Sequence, residues 1–180
     1  MRRYATAISR TSLSAPVQAL RRRGLLKGSL LDYGCGKGDD VRLLQQRGVD
    51  ARGFDPSFFP GKPTPADVVS LGYVLNVIED QGERASVLRR AWKLAGKAIC
   101  VAVRAGRKPP EARFRRCFDG WCSSTGTFQK FYLPGELADY IRLVLHREPE
   151  MVTAGIAIIY KEANDRGGLV LQSDGTWRMR

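Results

Sequence analysis

The 180 residues are 43% hydrophobic and 27% charged, enough for one domain with a real core, and no apolar run approaches the ~18 residues that a membrane span needs. Lys and Arg number 30 against 18 Asp and Glu, a net charge of +12 that points to an anionic partner. The N-terminus "MRRYATAISR" has no signal-peptide apolar stretch, so the expected compartment is the cytoplasm, where the four cysteines would be reduced thiols. The first predicted element is a helix over "SAPVQALRRRG", with Ser14 as cap, Pro16 in the first turn and Gly24 after the last. "SLLDY" reads as a buried strand, "DDVRLLQQRG" as a helix ending at Gly48, and "DARGFD" as a second strand. "ADVVSLGYVL" is a third strand, continuous in apolar residues as a doubly covered strand should be. "ERASVLRRAWKLAG" carries Val87, Leu88, Ala91, Trp92 and Ala95 as a helical stripe. "KAICVAV" is a strand, "ELADYIRLVL" a helix with Leu137, Tyr140, Ile141 and Val144 on one face, and "GIAIIYKE" a late strand. Alternation of this kind predicts an α/β fold: a Rossmann-like, doubly wound, mostly parallel sheet with helices on both faces, in a single domain.

The expected division is a basic N-terminal arm and helix over 1–28, the Rossmann-like domain over 29–162, and a C-terminal tail or hairpin over 163–180. In "LVLQSDGTWRM" the Asp174-Gly175 pair suits a type I′ turn between two short runs, with Trp177 packing on the domain. The positive charge is uneven. Residues 1–28 hold Arg2, Arg3, Arg10, Arg21, Arg22, Arg23 and Lys27 and no acid. Residues 104–116 hold six basic residues against Glu111 alone. Either these are solvated surface or they face DNA or RNA.

"LLDYGCGKGDD" falls at the first strand-to-helix turn, where doubly wound sheets bind ligands. Gly34, Gly36 and Gly38 allow close backbone approach. Asp39 stands where a dinucleotide fingerprint wants glycine, and no Ser or Thr follows Lys37, so neither a nicotinamide site nor a P-loop fits. An acid at the strand end, Asp32, suits a ligand with an amino group and no phosphate, such as S-adenosylmethionine. Asp55, in "GFDP" at the end of the second strand, is placed either to take ribose hydroxyls or to form a turn.

On "TAISRTSLSAPV", "LLDYGCGKGDDVRLL", "GFDPSFFP", "ADVVSLGYVLNVIEDQGERASVLRRAW" and "GTFQKFYLPGELADYI", the chain resembles class I S-adenosylmethionine-dependent methyltransferases. More narrowly it resembles the DNA phosphorothioation-associated putative methyltransferases. The resemblance implies a methyltransferase with a nucleic-acid link. It places the cofactor at Asp32, Gly34, Cys35, Gly36, Asp55 and Pro56, with Asp67 toward adenine and Leu71 and Gly72 toward the methionine part. Phe58 and Phe59 either cover the adenine or pack in the loop.

The acceptor is less legible. There is no [DNS]PP[FWY] segment and no Pro-Cys pair, the marks of base-methylating enzymes on DNA; "NVIED" stands in that place. In "GTFQKFY", Gln129, Lys130 and Tyr132 either meet a substrate or belong to an amphipathic strand with Phe128 and Phe131 in the core. With Asn76 and Arg104 these three are the candidate catalytic residues. The alternatives to a nucleic-acid methyltransferase are a small-molecule methyltransferase and a non-catalytic binding module. Cys117 and Cys122 are too loosely set for zinc, and no metal site is expected.

Overall fold

The computed structural model describes residues 1–106, 114–162, 169–171 and 177–179, the last two by backbone alone. Six strands form the main sheet: β1 (Leu30–Tyr33), β2 (Ala51–Phe54), β3 (Ala66–Gly72), β4 (Ala95–Ala102), β8 (Glu150–Thr153) and β9 (Ile156–Tyr160). Their order is β2-β1-β3-β4-β9-β8. The first four are parallel, while β9 runs antiparallel to β4 and β8 antiparallel to β9. The late strand expected in "GIAIIYKE" therefore exists, but it returns against the others as one arm of a hairpin with β8.

Period-two alternation sends neighbouring side chains to opposite faces. Leu30, Ala98, Cys100 and Ile158 meet Val17 and Leu20 of α1 (Ala15–Arg22) together with Val41 and Leu44 of α2 (Asp39–Gln45). Leu31, Ile99, Val101 and Ile159 meet Leu88 and Ala91 of α3 (Gln81–Leu94) and Leu137 and Ile141 of α4 (Glu136–Leu145). The expected face of α4 is the buried one, with Tyr140 at its margin. Ala95 belongs to β4 rather than to the α3 stripe. Ser14 stands at the N-cap of α1, yet its side chain makes no cap bond; its N–H instead donates to Asp40 Oδ1 at 2.8 Å. Because α1 is fully buried at Val17, Ala19 and Leu20, it covers the sheet and is not a detached arm.

Between β4 and α4 the chain makes a second, antiparallel sheet: β5 (Phe114–Cys117), β6 (Gly120–Ser123) and β7 (Phe128–Gln129). Cys117 and Cys122 are joined there by a disulfide, which corrects the expectation of four reduced thiols. Cys35 and Cys100 are free. Between Cys117 and Cys122 in sequence, Asp119 receives Arg84 through two guanidinium bonds, 2.7 and 3.0 Å. Arg84 is 2% exposed and also donates to the Ile78 carbonyl. Lys130 adds contacts to Asp119 at 3.4 Å and Glu136 at 2.6 Å, so a buried charge network pins the small sheet to α3 and α4.

At the C-terminus β10 (Leu169–Leu171) pairs antiparallel with β11 (Trp177–Met179). The turn expected at Asp174-Gly175 and the packing of Trp177 lie outside the described residues. Among the described residues no helix is long and apolar enough to cross a membrane.

Candidate active site

The glycine turn stands where the sequence places it, at the C-terminal end of β1. Gly34, Gly36 and Gly38 have φ of +85°, +54° and +76°, a region that costs other residues about 1–2 kcal/mol. The turn is pressed against its surroundings. A Cβ on Gly34 would collide with the Val74 side chain, one on Gly36 would lie 3.2 Å from Ala7, and one on Gly38 would lie 2.7 Å from the Phe59 ring. The Gly34 and Cys35 N–H groups donate to the Phe54 carbonyl at 2.7 and 3.1 Å, fastening the turn to β2. Asp55 completes it: Oδ2 accepts from Gly36 N–H at 3.1 Å, and Oδ1 accepts from Ser57 and Phe58 N–H at 2.8 and 3.1 Å.

Above this turn lies a cavity of about 560 Å³, within the usual size of a small-molecule site. Gly34, Cys35, Gly36, Asp55, Pro56 and Phe58 form one wall, and Gly72, Tyr73 and Val74 another. Residues from Met1 to Arg10 close it. That arm is tied down at several points. Arg3 pairs with Glu79 at 3.0 Å and Glu83 at 2.6 Å, Lys37 Nζ donates to Ser9 Oγ at 3.1 Å, and Arg10 N–H donates to Asp39 Oδ2 at 2.8 Å. Two of the basic side chains expected on an outer face, Arg3 and Arg23, thus pair inside the molecule, the latter with buried Glu150 at 2.6 Å. Arg2, Arg21, Arg22 and Lys27 remain exposed, as do Arg104, Arg115 and Arg116.

Asp32 is buried beside Asp40, Ser70 and Arg10. Loss of hydration, and next the Asp40 charge, push its pKa up from 3.8 to about 7, against the pull of Ser70 and Arg10. A folded-state value above the unfolded one means the native state binds the extra proton. Stability from this group is full below about pH 4 and is lost as pH rises toward 7. Asp32→Asn should therefore flatten the pH dependence of urea unfolding between pH 4 and 7 and stabilise the protein at pH 8 by about 2–4 kcal/mol. An unchanged slope would show that Asp32 titrates normally. Burial, helped by Asp32 and Asp55, holds the Cys35 thiol at about 12, so it is neutral and no nucleophile.

Tyr73 sits at φ +62°, an uncommon backbone for an aromatic residue, held by its N–H donating to the Ala102 carbonyl at 2.7 Å. Beyond it is a second cavity of about 350 Å³, lined by Asn76, Arg104 and Gln129. Thr6, Ile8, Arg10, Tyr73 and Val77 line both cavities, which therefore adjoin. Asn76 Nδ2 donates to Gln129 Oε1 at 3.0 Å, while the Asn76 Oδ1 is buried with no donor.

Several expected site residues are elsewhere. Asp67 opens β3, at the opposite end of the strand, roughly 16 Å from Gly72 at 3.3 Å per residue. It accepts from Ser29 N–H and Oγ at 2.8 and 2.9 Å and pairs with Lys97 at 3.0 Å, which holds it down at about 2. Leu71 is a core residue with no exposure, whereas its neighbour Gly72 reaches the cavity. Phe58 lines the cavity, but Phe59 packs on Gly38 outside it. Lys130 and Tyr132 turn away from Gln129. The Lys130 ammonium goes to Glu136 and Asp119, and Tyr132 is fully buried against the α4 cluster, its hydroxyl pushed up by burial. Only their backbones serve the site: Lys130 N–H donates to Asn76 O at 2.7 Å, and Tyr132 N–H to Arg104 O at 2.8 Å. Among the described residues no cluster of three His, Cys, Asp or Glu could hold a metal. Tyr73, Arg3 and Arg10 are the site residues the sequence reading passes over; Tyr73, directly after Gly72 at a strand end, was the readable signal.

The sequence matches the family described as a methyltransferase domain over residues 2–125. No curated protein matches it. Among solved structures the chain is similar to the sugar N-methyltransferase KedS8 from Streptoalloteichus, with TM-score 0.61, 15% identity, and 87% of this chain and 99% of that one covered. It is also similar to the 1,6-didemethyltoxoflavin-N1-methyltransferase of Burkholderia thailandensis with bound S-adenosylhomocysteine, with TM-score 0.58, 16% identity, and 81% and 76% covered. A third likeness is to the magnesium protoporphyrin IX methyltransferase of Synechocystis with bound S-adenosylmethionine, with TM-score 0.53, 14% identity, and 89% and 90% covered.

Proposed function

We propose, from the premise that this chain belongs to the methyltransferase-domain family, that it is an S-adenosylmethionine-dependent methyltransferase acting on a small molecule. The residues fit the cofactor. Gly34 and Gly36 leave room that a Cβ would fill, and Asp32, Asp55, Pro56, Phe58 and Gly72 surround or back the larger cavity. Bound there, the cofactor supplies an electrophilic methyl on a sulfonium. What the chain then has to do is hold a nucleophile in line with that methyl, about 3 Å away, and keep water out. The observation that carries the reading is the pair of adjoining cavities beside one arm, the second being molecule-sized and walled on one side by Thr6 and Ile8 of the arm.

Exposed Arg21, Arg22, Arg115 and Arg116 favour a second reading, a nucleic-acid acceptor, in line with the narrower resemblance to phosphorothioation-associated proteins. Isothermal calorimetry with S-adenosylhomocysteine, then labelled methyl transfer onto metabolite, DNA and RNA fractions, separates the readings. Label in metabolites alone supports the first. Label in DNA or RNA, with binding that falls steeply with salt, supports the second. No binding of S-adenosylhomocysteine overturns both. Asp55→Ala should weaken that binding by about 1–3 kcal/mol, because three backbone donors lose a charged acceptor and the turn loosens. Unchanged affinity would show that neither the Asp55 carboxylate nor the turn it fastens shapes the cofactor site.

A further inference from the structure

We infer that the methyl acceptor is longer than the smaller cavity, and that its distal part, a planar ring bearing an anionic group, rests outside it on Trp121 and Arg116 of the small sheet. The inference rests on the small-molecule methyltransferase reading and names its substrate class.

Strand register leads there. In an antiparallel pair, residues directly opposite one another share a face, with side chains about 5 Å apart at their roots. Gln129 of β7 is opposite Trp121 of β6, and Trp121 is opposite Arg116 of β5. The three therefore form one row across the small sheet. Its inner end is at the cavity, where Gln129 is part of the lining and its Oε1 accepts from Asn76 Nδ2 at 3.0 Å. Its outer end is exposed Arg116, two strand spacings or about 10 Å away. The opposite face of the sheet is committed to the core: Phe128 is buried there, with the Arg84 guanidinium 5.9 Å from its ring centre. Trp121, on the face of the row, is only half-buried.

The row has a definite chemistry. The Arg116 guanidinium lies over the Trp121 ring, 5.2 Å from its centre. Contact with an indole face steadies a long side chain while leaving its N–H donors for an anion. The acids of this region are taken, Asp119 by Arg84 and Lys130 and Glu136 by Lys130, and among the described residues Arg116 has no carboxylate within ion-pair distance. A half-exposed indole beside an unpaired guanidinium binds a planar ring by stacking and an anion by charge-assisted hydrogen bonds. Continuity sets this pair apart from the other exposed basic residues, because its row begins in the cavity lining. The N-terminal arm, whose Thr6 and Ile8 wall the cavity on one side, is bonded to the β6–β7 turn, Arg2 N–H donating to Gly126 O at 2.9 Å. A site walled on one side in this way suits a single molecule better than a polymer strand passing through.

The test compares uridine 5′-monophosphate, uridine and ribose 5-phosphate as probes of the full chain saturated with S-adenosylhomocysteine, by calorimetry and saturation-transfer NMR. Expected is uridine monophosphate binding at least tenfold tighter than either single-feature probe. Arg116→Gln should weaken both phosphates at least fivefold and leave uridine within twofold. Trp121→Ala should weaken uridine monophosphate at least tenfold, and neither variant should change S-adenosylhomocysteine affinity by more than twofold. Uridine monophosphate should also quench the tryptophan emission of the wild type; Trp121→Phe should keep its binding within threefold and lose that quenching. Circular dichroism of each variant checks that it folds; should Trp121→Ala fail to fold, the wild-type probe ranking and Arg116→Gln decide alone. Equal binding of the three probes, or none of them binding while S-adenosylhomocysteine does, overturns this inference and leaves the methyltransferase reading intact. Octauridylate binding more than a hundredfold tighter than uridine monophosphate overturns it in favour of a polynucleotide. Failure of S-adenosylhomocysteine to bind overturns the reading itself.

Discussion

Gly34→Ala is expected to lose S-adenosylhomocysteine binding by at least 30-fold and to destabilise the fold by about 2–5 kcal/mol. Two costs add. The residue stands at φ +85°, where an L side chain costs about 1–2 kcal/mol. Its new Cβ would collide with the Val74 side chain, and overpacking a tight contact costs about 1–3 kcal/mol. Val74 and the glycine turn both line the larger cavity where they meet, so relief of the collision must reshape it. Gly48→Ala is the control. It has φ +77°, and a Cβ there meets nothing within 4 Å, so it should cost only the backbone term and leave binding unchanged. If urea titration and calorimetry give the two variants the same profile, the contact with Val74 does not shape the site.

Arg84→Ala should be the most damaging change outside the glycine turn, at about 3–5 kcal/mol by urea unfolding. The guanidinium is fully buried, bonded twice to Asp119 and capping the Ile78 carbonyl, so its removal strands three acceptors at once. Lys130 stays beside Asp119 at 3.4 Å and recovers part of the loss. The variant Asp119→Ala should also be severe, since it strands Arg84. The double variant should cost less than the sum of the two, because the second change removes a group the first left unpaired. Additivity within about 0.5 kcal/mol would show that the two side chains do not depend on each other.

What could be read from the sequence divides along physical lines. β1, β3, β4 and β9 announce themselves because strands covered on both faces must be apolar throughout, and "LLDY" and "IAIIY" can be little else. The glycine turn is legible for the same kind of reason: a positive φ at Gly34, Gly36 and Gly38 requires that residue type. β8 is not, because "EMVT" lies at the sheet edge and its buried Glu150 is satisfied by Tyr160 across the hairpin and by Arg23, which is far off in sequence. The small sheet is hidden for a related reason. "FRRC" and "GWCS" look like a basic loop until Asp119, in the turn between them, is known to pair with Arg84 and Lys130. Asp67 misleads because an acid in a strand looks the same at either end, and only the register with β1 and β4 puts it far from the glycines. Lys130 and Tyr132 mislead because they follow β7 and their side chains go to Asp119, Glu136 and the α4 cluster, while Gln129 of the three lines the cavity.

β2 is the last strand on its side of the sheet, and the chain passes from Phe54 to Ala66 without another strand or helix to pair beyond it. Its outer row of N–H and C=O groups is thereby a template on which a foreign strand could add, the starting point of aggregation. Four residues give such a strand little purchase, and Arg52, exposed in its middle, would have to be stripped of water to admit a neighbour. Pro60, Pro63 and Pro65 in the segment that follows cannot donate to a ladder and so cannot extend the row. The margin that carries Asp55, the residue fastening the glycine turn, is in this way also the one guarded against self-association.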